Sequence, residues 1–101
     1  MTVVYYIGTK DQYTKEYELT ENYFERIITS EFIKEYPNGF TITTGTGCYK
    51  HNSGGVVTEK AFIVTVLDIT FTNTKLIDTL KEKLNQECIA VQVIEDSTMF
   101  I

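Results

Sequence analysis

Apolar and polar residues follow two periodicities along the chain, and these predict four strands and two helices. β-branched and aromatic residues cluster, often alternating with polar ones, at 2–7, 40–43, 56–67 and 89–94, as is typical of strands. Apolar residues recur three and four positions apart in two other segments, 21–36 and 74–86, as is typical of amphipathic helices. The predicted order of elements is therefore β-α-β-β-α-β.

Local signals mark the ends of these elements. Thr20 can cap the first helix, and the chain's only proline ends it. Asn73 or Thr72 can cap the second helix. Gly45-Thr46-Gly47 is expected to interrupt the second strand, and the turn-rich segment 49–55 then makes the extended tip of a hairpin with the third strand.

This order of elements is satisfied by an antiparallel sheet that carries both helices on one face, the ferredoxin-like α+β arrangement. No linker, low-complexity stretch or block of like charge divides the chain. We therefore expect residues 1–101 to form a single domain.

Both faces of the predicted sheet are apolar, although a lone ferredoxin-like domain needs only one apolar face. In the third strand Phe62 and Val64 belong to one face, and the opposite face, which includes Ile63, is also apolar. A charge at Ile63 or Tyr5 is expected to dissociate an oligomer if this face is the interface, and to leave it unchanged if the helices or sheet edges are. The pattern favours self-association as a dimer or trimer through the sheet. The alternative is that the C-terminal tail or the 8–18 loop folds across the face within one chain.

Composition narrows the classes of partner. Nine Lys and Arg against 14 Asp and Glu give a net charge of −5 with a single arginine, which excludes a broad surface for duplex nucleic acid.

An apolar stretch such as 61–67 is far shorter than the roughly 20 residues of a membrane helix, and no signal segment is visible. Cys48 and Cys88 lack the spacing of a disulfide framework or a metal site. No metal, cofactor or membrane contact is predicted, and the cytoplasm is the expected compartment.

The best candidate for a ligand site is the hairpin between the second and third strands. Gly45 and Gly47 let backbone amides approach an anion, Tyr49 can stack on a ring, and Lys50 can contact a phosphate. The alternative is that these glycines only permit a bulge and a twist in a long hairpin.

Residues close to this hairpin extend the candidate site. Glu59 and Lys60 are expected opposite the Tyr49 region, where they either bind polar groups or form a surface pair. His51, the only histidine, lies in a turn and lacks the orienting carboxylate and nucleophile that a general base needs.

A polar loop after the first strand carries a second group of candidates. Lys10, Tyr13, Lys15 and Tyr17 form either a flap over a neighbouring cleft or simply an ordered surface loop. No spacing in the chain pairs a nucleophile with a base, which favours a binding protein over an enzyme.

Six short segments, taken in their order and spacing, resemble an uncharacterised family of small bacterial and phage proteins catalogued only as a domain of unknown function. The resemblance implies the ferredoxin-like fold and no particular activity. The segments are Tyr6-Ile7-Gly8, Phe24 through Phe32, Tyr36 through Thr41, Gly45 through Tyr49, Val56 through Glu59 and Asn85 through Ile89.

The layout is also similar to that of PII-type signalling proteins and CutA-type proteins, which are ferredoxin-like trimers that pair their subunits through the sheet. In the PII type, a long loop between the second and third strands and the clefts between subunits bind nucleotides. The segment 45–55 holds the equivalent place in this chain. The resemblance implies a location for a site and leaves its ligand open.

These observations lead to a functional hypothesis. The protein is expected to be a non-enzymatic oligomer that holds a small anionic, nucleotide-like ligand at subunit clefts near the hairpin. The alternative is a protein-binding inhibitor or adaptor that acts through its acidic helix faces or a sheet edge. The predicted ligand-site residues are Gly45, Gly47, Tyr49, Lys50, His51, Glu59 and Lys60.

Overall fold

A computed structural model describes residues 1–50, 52–70 and 74–101 and confirms the predicted order of elements. The elements are β1 (Thr2–Gly8), α1 (Glu21–Glu35), β2 (Thr41–Lys50), β3 (Val56–Val66), α2 (Lys75–Lys83) and β4 (Ala90–Ile94). The strands form one antiparallel sheet in the order β2-β3-β1-β4, as the ferredoxin-like α+β fold requires.

The core lies between the sheet and the two helices. Val3, Tyr5 and Ile7 of β1 alternate with residues on the other face of the sheet and are completely buried. Each helix adds a stripe of apolar residues to the same cluster, so both helices cover the same face of the sheet. The other members are Phe24, Ile28, Phe32, Phe62, Val64, Val66, Leu76, Leu80, Leu84 and Ile89.

Helix α1 begins at the predicted cap and is joined to α2 near its other end. The Thr20 hydroxyl accepts a hydrogen bond from the Tyr23 amide, which satisfies one of the free N–H groups of the first turn. Glu31 is buried and accepts hydrogen bonds from Lys83 at 2.7 Å and from Lys34 at 3.4 Å. The pair with Lys83 therefore ties the two helices together.

Helix α2 ends at Lys83, earlier than the predicted residue 86. Asn85 has a left-handed φ of 52°. Its amide donates to the Glu82 carbonyl, and the Gln86 amide donates to the Lys81 carbonyl. These two bonds form a Schellman motif, which closes a helix through a left-handed residue after its last turn.

At the N-terminus of α2, the hydrogen bond of the cap residue comes from its backbone and not from its side chain. Thr74 stands in the cap position without a side-chain cap hydrogen bond, and the Asp78 amide donates to the Thr74 carbonyl at 3.1 Å. The predicted caps, Thr72 and Asn73, lie outside the described residues.

The prediction that Gly45-Thr46-Gly47 interrupts the second strand is wrong. β2 pairs with β3 along its ten residues, from Thr41 opposite Thr65 to Lys50 opposite Val56, in an unbroken register. The β-branched residues of β3 supply the strand preference that the glycines lack, so the glycines stay within the ladder. The end of this hairpin, residues 46–50 and 56–60, is called the hairpin arm below.

The face of the sheet turned away from the helices, called the open face below, is only partly covered. Val4 is buried, Ile63 is half-buried and Tyr6 is 40% exposed. The C-terminal tail contacts part of it: the Thr2 hydroxyl donates to the Asp96 carboxylate at 2.9 Å, and Phe100 lines a cavity together with Thr41 and Thr65. Met99 and Phe100 themselves remain exposed. Among the described residues, neither helix has the length and apolar character needed to cross a membrane.

One residue expected on this second face lies elsewhere. Tyr5 pairs with Val64 and belongs to the buried core, whereas Ile63 pairs with Tyr6 and lies on the open face. Successive strand residues point to opposite faces, so Tyr5 and Ile63 cannot test the same surface.

Candidate functional site

The loop between β1 and α1 is tied to the beginning of β3. The Thr9 hydroxyl donates to the Lys60 carbonyl at 2.7 Å, and the Lys60 amide donates to the Tyr17 hydroxyl at 3.2 Å. Gln86, just after α2, donates to the Lys10 carbonyl at 2.9 Å. The loop is therefore held on two sides, by the sheet and by the end of α2.

Asp11 organises the middle of this loop. Its carboxylate accepts hydrogen bonds from the Thr14 amide at 3.1 Å and the Tyr13 amide at 2.8 Å, and a further one from the Asn85 side chain. These bonds, with the Thr14 amide foremost, hold the pKa of Asp11 below its usual value. The turn is thus built around an ionised carboxylate.

Two backbone amides of the loop constrain the Glu59 carboxylate on the open face. Its Oε1 accepts hydrogen bonds from the Lys10 amide at 2.7 Å and the Thr9 amide at 3.0 Å. A Cβ added at Gly8 would lie 2.7 Å from the same oxygen, so only glycine leaves room for the carboxylate there. The loop and β1 together fix the direction of this side chain.

Glu59 lies in a cavity of about 460 Å³, which we call the open-face pocket. This volume falls in the range of small-molecule sites, about 300–1,000 Å³. The sheet contributes Tyr6, Gly8, Tyr49, Val57, Glu59 and Ala90, and the flanking segments contribute Lys10, Gln12, Lys15, Gln86, Glu87 and Cys88.

Two tyrosines flank the carboxylate. The Tyr6 hydroxyl donates to Gln92 Oε1 at 3.2 Å, which restrains its ring against β4. Tyr49 stands opposite Val57 on the hairpin arm and is 57% exposed. Aromatic surface is therefore available on both sides of Glu59.

The structure separates the predicted site residues into two sets. Gly45, Gly47, Tyr49 and Glu59 share the open face, because Gly47 is directly opposite Glu59 in the ladder. Only Tyr49 and Glu59 of these line the pocket. His51 lies outside the described residues.

Lys50 and Lys60 belong to the other set. They alternate with Tyr49 and Glu59 along their strands and point to the helix side of the sheet. The Lys60 ammonium forms an ion pair with Glu21, at the start of α1, at 2.6 Å. The cations and the carboxylate proposed for one ligand are thus on opposite faces.

The lysines that do line the open-face pocket come from the loop. The Lys10 ammonium lies 5.2 Å from the centre of the Tyr17 ring, a cation–π distance. The Lys15 ammonium donates to the Gln12 carbonyl at 2.6 Å. Of the four residues in the flap hypothesis, Lys10 and Lys15 line this pocket, and Tyr13 and Tyr17 do not.

Sequence reasoning missed Tyr6, Gly8 and the segment 86–88. Gly8 was visible only as the end of a strand, and its contact with Glu59 joins residues about fifty positions apart. The alternation of strand residues was a usable signal, since it places Tyr6 on the same face as Ile63.

Three other features could hold a ligand or supply chemistry: groupings of acidic, histidine and cysteine side chains, the two cysteines and a second cavity. Within residues 1–50, 52–70 and 74–101, no three His, Cys, Asp or Glu side chains are grouped to hold a metal ion. Cys48 and Cys88 are both free and exposed. A larger cavity, about 630 Å³, lies at the opposite end of the sheet between Tyr36 and Leu67 and holds none of the predicted site residues.

Solved structures similar to this fold include two of a phage SAM lyase. The apo form matches with a TM-score of 0.56 and 16% identity, covering 89% of this chain and 75% of that one. The complex with S-methyl-5'-thioadenosine matches with a TM-score of 0.56 and 17% identity, covering 89% and 76%. At these identities the likeness establishes a shared fold. No curated protein matches the chain.

A protein family described as "Protein of unknown function (DUF3574)" matches residues 4–98. This span includes every residue that lines the open-face pocket. The match confirms the resemblance to an uncharacterised family that the six sequence segments indicated. The chain therefore belongs to DUF3574, a family of proteins of unknown function.

Proposed function

We propose that this protein is a homo-oligomer that binds a small nucleoside-containing ligand in the open-face pocket. The observation that carries the proposal is the Glu59 carboxylate, which two backbone amides hold in a cavity between two tyrosines. Such a group can select a ligand that presents hydroxyls and an aromatic ring.

The carboxylate is suited to ribose hydroxyls. Oε1 of Glu59 is occupied by the amides of Thr9 and Lys10, whereas Oε2 has no hydrogen-bond partner among the described residues. Dinucleotide-binding proteins use an acidic side chain in the same way to bind ribose.

The tyrosines are suited to a nucleobase. A base that stacks on an aromatic side chain gains about 1–3 kcal/mol. Tyr6 is restrained by Gln92, and Tyr49 is exposed, so one ring is fixed and the other is free to adjust. An anionic group on the ligand would meet Lys10 and Lys15 of the loop.

Self-association through the sheet supports the same site. The pocket lies on a sheet face and leaves one side of a ligand in solvent, whereas small-molecule sites bury most of their ligand. A second copy next to the pocket would supply the missing wall. Tyr49 lines the pocket and is 57% exposed, so it is a side chain that such a contact would cover.

The structural neighbours support the choice of ligand. One phage SAM lyase structure with the same fold is a complex with S-methyl-5'-thioadenosine, which is a nucleoside derivative. We therefore choose S-methyl-5'-thioadenosine as the first probe.

The test is titration calorimetry of S-methyl-5'-thioadenosine against the wild-type protein and Glu59→Gln. Losing a hydrogen bond to a charged group costs about 1.5–3 kcal/mol, so Glu59→Gln is expected to weaken binding by about tenfold to a hundredfold. Glu21→Gln, on the other face of the sheet, is the matched control and is expected to bind like the wild type. Equal affinity for Glu59→Gln and wild type, or no binding at millimolar ligand, would overturn the proposal.

Catalysis is a second candidate, because the fold is shared with enzymes that act on SAM. The same protein samples are incubated with SAM, and S-methyl-5'-thioadenosine is measured by mass spectrometry. If the wild type produces S-methyl-5'-thioadenosine and Glu59→Gln does not, the protein is a lyase and the non-enzymatic binding function is wrong. Binding without production supports the non-enzymatic function.

A further inference from the structure

We infer that the outer edge of β2 pairs with β2 of a second copy, antiparallel and about a two-fold axis at Gly45. Two four-stranded sheets then become one continuous sheet. The inference deepens the self-association in the proposed function and rests on it, because it names the surface through which two copies meet.

β2 is an edge strand without the usual protection. It pairs with β3 on one side along its ten residues, in a register without a bulge, and no strand formed by residues 1–50, 52–70 or 74–101 lies on its other side. From Thr41 to Tyr49 it contains neither a charged residue nor a proline. Proteins normally protect an edge with charges, prolines, bulges or a very short strand, because unpaired backbone groups recruit another strand.

The other edge of the sheet is different. β4 has only five residues, and Glu95 and Asp96 follow it directly. Short length and charge are two of the devices that block strand addition. The contrast singles out β2 as the edge open to a partner.

Pairing of β2 with another strand would stabilise the hairpin arm. The β2 side chains from Thr46 to Lys50 are all exposed, and Val56 at the start of β3 is 74% exposed. A two-stranded ribbon of this kind is marginally stable in water, whereas a third strand stabilises it. Pairing with a neighbour supplies that strand.

Charge favours a second copy as the partner. The chain has 14 acidic residues, yet none lies between Tyr36 and Thr58. Two copies with a net charge of −5 repel each other least where acidic side chains are absent. The β2 edge lies within this acid-free segment.

The strand is also complementary to itself. With the axis at Gly45, Thr44 lies opposite the partner's Thr46 and Thr41 lies opposite the partner's Tyr49. Threonine pairs and aromatic–threonine pairs are favourable across strands. The antiparallel direction keeps the two copies of Lys50 at opposite ends of the contact. This arrangement also places the second copy beside Tyr49, which lines the open-face pocket.

The test compares two double variants by sedimentation equilibrium. Thr44→Asp with Thr46→Asp places like charges opposite each other across the axis and is expected to raise the dimer dissociation constant about tenfold or more. Thr44→Lys with Thr46→Asp places opposite charges there and is expected to retain the dimer. Both side chains are exposed in the single chain, so neither variant puts a charge into the core of the monomer. Circular dichroism confirms that each is folded.

A third variant separates the edge from the open face. Ile63→Glu puts a charge on the open face and is expected to leave the dimer intact. A wild-type monomer at tens of micromolar overturns the inference. A trimer also overturns it, as does a dimer that Ile63→Glu dissociates or one that both double variants affect alike.

Hydrogen exchange on the wild type gives a readout without substitution. The β2 amides that point outward are expected to exchange more slowly as protein concentration rises through the dimer dissociation constant. Unchanged exchange contradicts the pairing. Binding of S-methyl-5'-thioadenosine is measured on the same samples. A monomer that binds it overturns the self-association, including the edge contact, and supports the ligand site. A dimer that does not bind it overturns only the ligand site.

Discussion

Gly8 and the Glu59 carboxylate are packed so closely that a methyl group at position 8 would displace the carboxylate. A Cβ at position 8 would lie 2.7 Å from Glu59 Oε1 and would push the carboxylate off the amides of Thr9 and Lys10. We expect Gly8→Ala to lower the free energy of unfolding by about 1–3 kcal/mol, the cost of leaving such groups unpaired. Urea unfolding followed by circular dichroism measures it.

Gly55→Ala is the matched control for this prediction. A Cβ there meets nothing within 4 Å, and its φ does not lie in the left-handed region. Its effect is expected to be neutral or a small stabilisation of about 0.4–1 kcal/mol. In a Glu59→Ala background the cost of Gly8→Ala should largely vanish, and an undiminished cost would show that the carboxylate is not the cause.

The sequence identified Glu59 as a candidate and grouped it with Lys60, whereas the structure gives Glu59 different neighbours. Lys60 follows it in the chain and so points to the opposite face, where it pairs with Glu21. Its actual partners, the amides of Thr9 and Lys10, are 50 and 49 residues away. Strand alternation was enough to place Glu59 and Lys60 on opposite faces of the sheet. A contact with a loop about fifty residues away produces no periodic pattern in the sequence, so it could not be predicted in this way.

At the scale of elements, the contact between α1 and α2 should make stability depend on acid. The hydrogen bond from Lys83 holds the pKa of buried Glu31 below its usual value of 4.5. A group with a lowered pKa in the folded state stabilises the fold above its unfolded pKa and loses that contribution as pH falls through the folded pKa. We expect the melting temperature of wild type to exceed that of Glu31→Gln by a constant margin above about pH 5. The margin should then shrink as the pH is lowered below about 4.5.

Glu25→Gln is the control for the acid dependence, since Glu25 is an exposed residue of the same helix. Its melting temperature should follow that of the wild type at every pH. The Glu31 margin itself is expected to be small, because Lys83 is half exposed and solvent weakens the pair. A margin that stays constant down to about pH 3 would contradict the assignment to Glu31.

The elements differ in how far local sequence determined them. Helix α1 was predicted to within a residue, because the Thr20 cap and the proline after Tyr36 act locally. Helix α2 was predicted too long, because Asn85 was not recognised as a left-handed stop. β2 was predicted too short, because its glycines are held by the register with β3, which is a property of the pair and not of the strand.

At the scale of the whole molecule, the pattern of the strands predicted the fold and the presence of a second apolar face. It did not determine how much of that face is exposed, because Val4 and Tyr6 stand on the same face with very different exposure. The periodicity of one sequence shows which residues face apolar surroundings, but it does not show which surface of a second copy contacts them. The surface by which copies meet has to be argued from the edges of the sheet and the distribution of charge.

That distribution leads to a prediction about salt. Each copy carries a net charge of −5, while the β2 edge itself is free of acidic residues, so the long-range force between copies is repulsive and the contact is not ionic. Salt shortens the Debye length from about 30 Å at 0.01 M to about 10 Å at 0.1 M. The dimer dissociation constant, measured by sedimentation equilibrium, is therefore expected to fall severalfold over this range. Lys50→Gln makes each copy more negative and should steepen the dependence, whereas a dissociation constant that rises with salt would show that opposite charges hold the dimer.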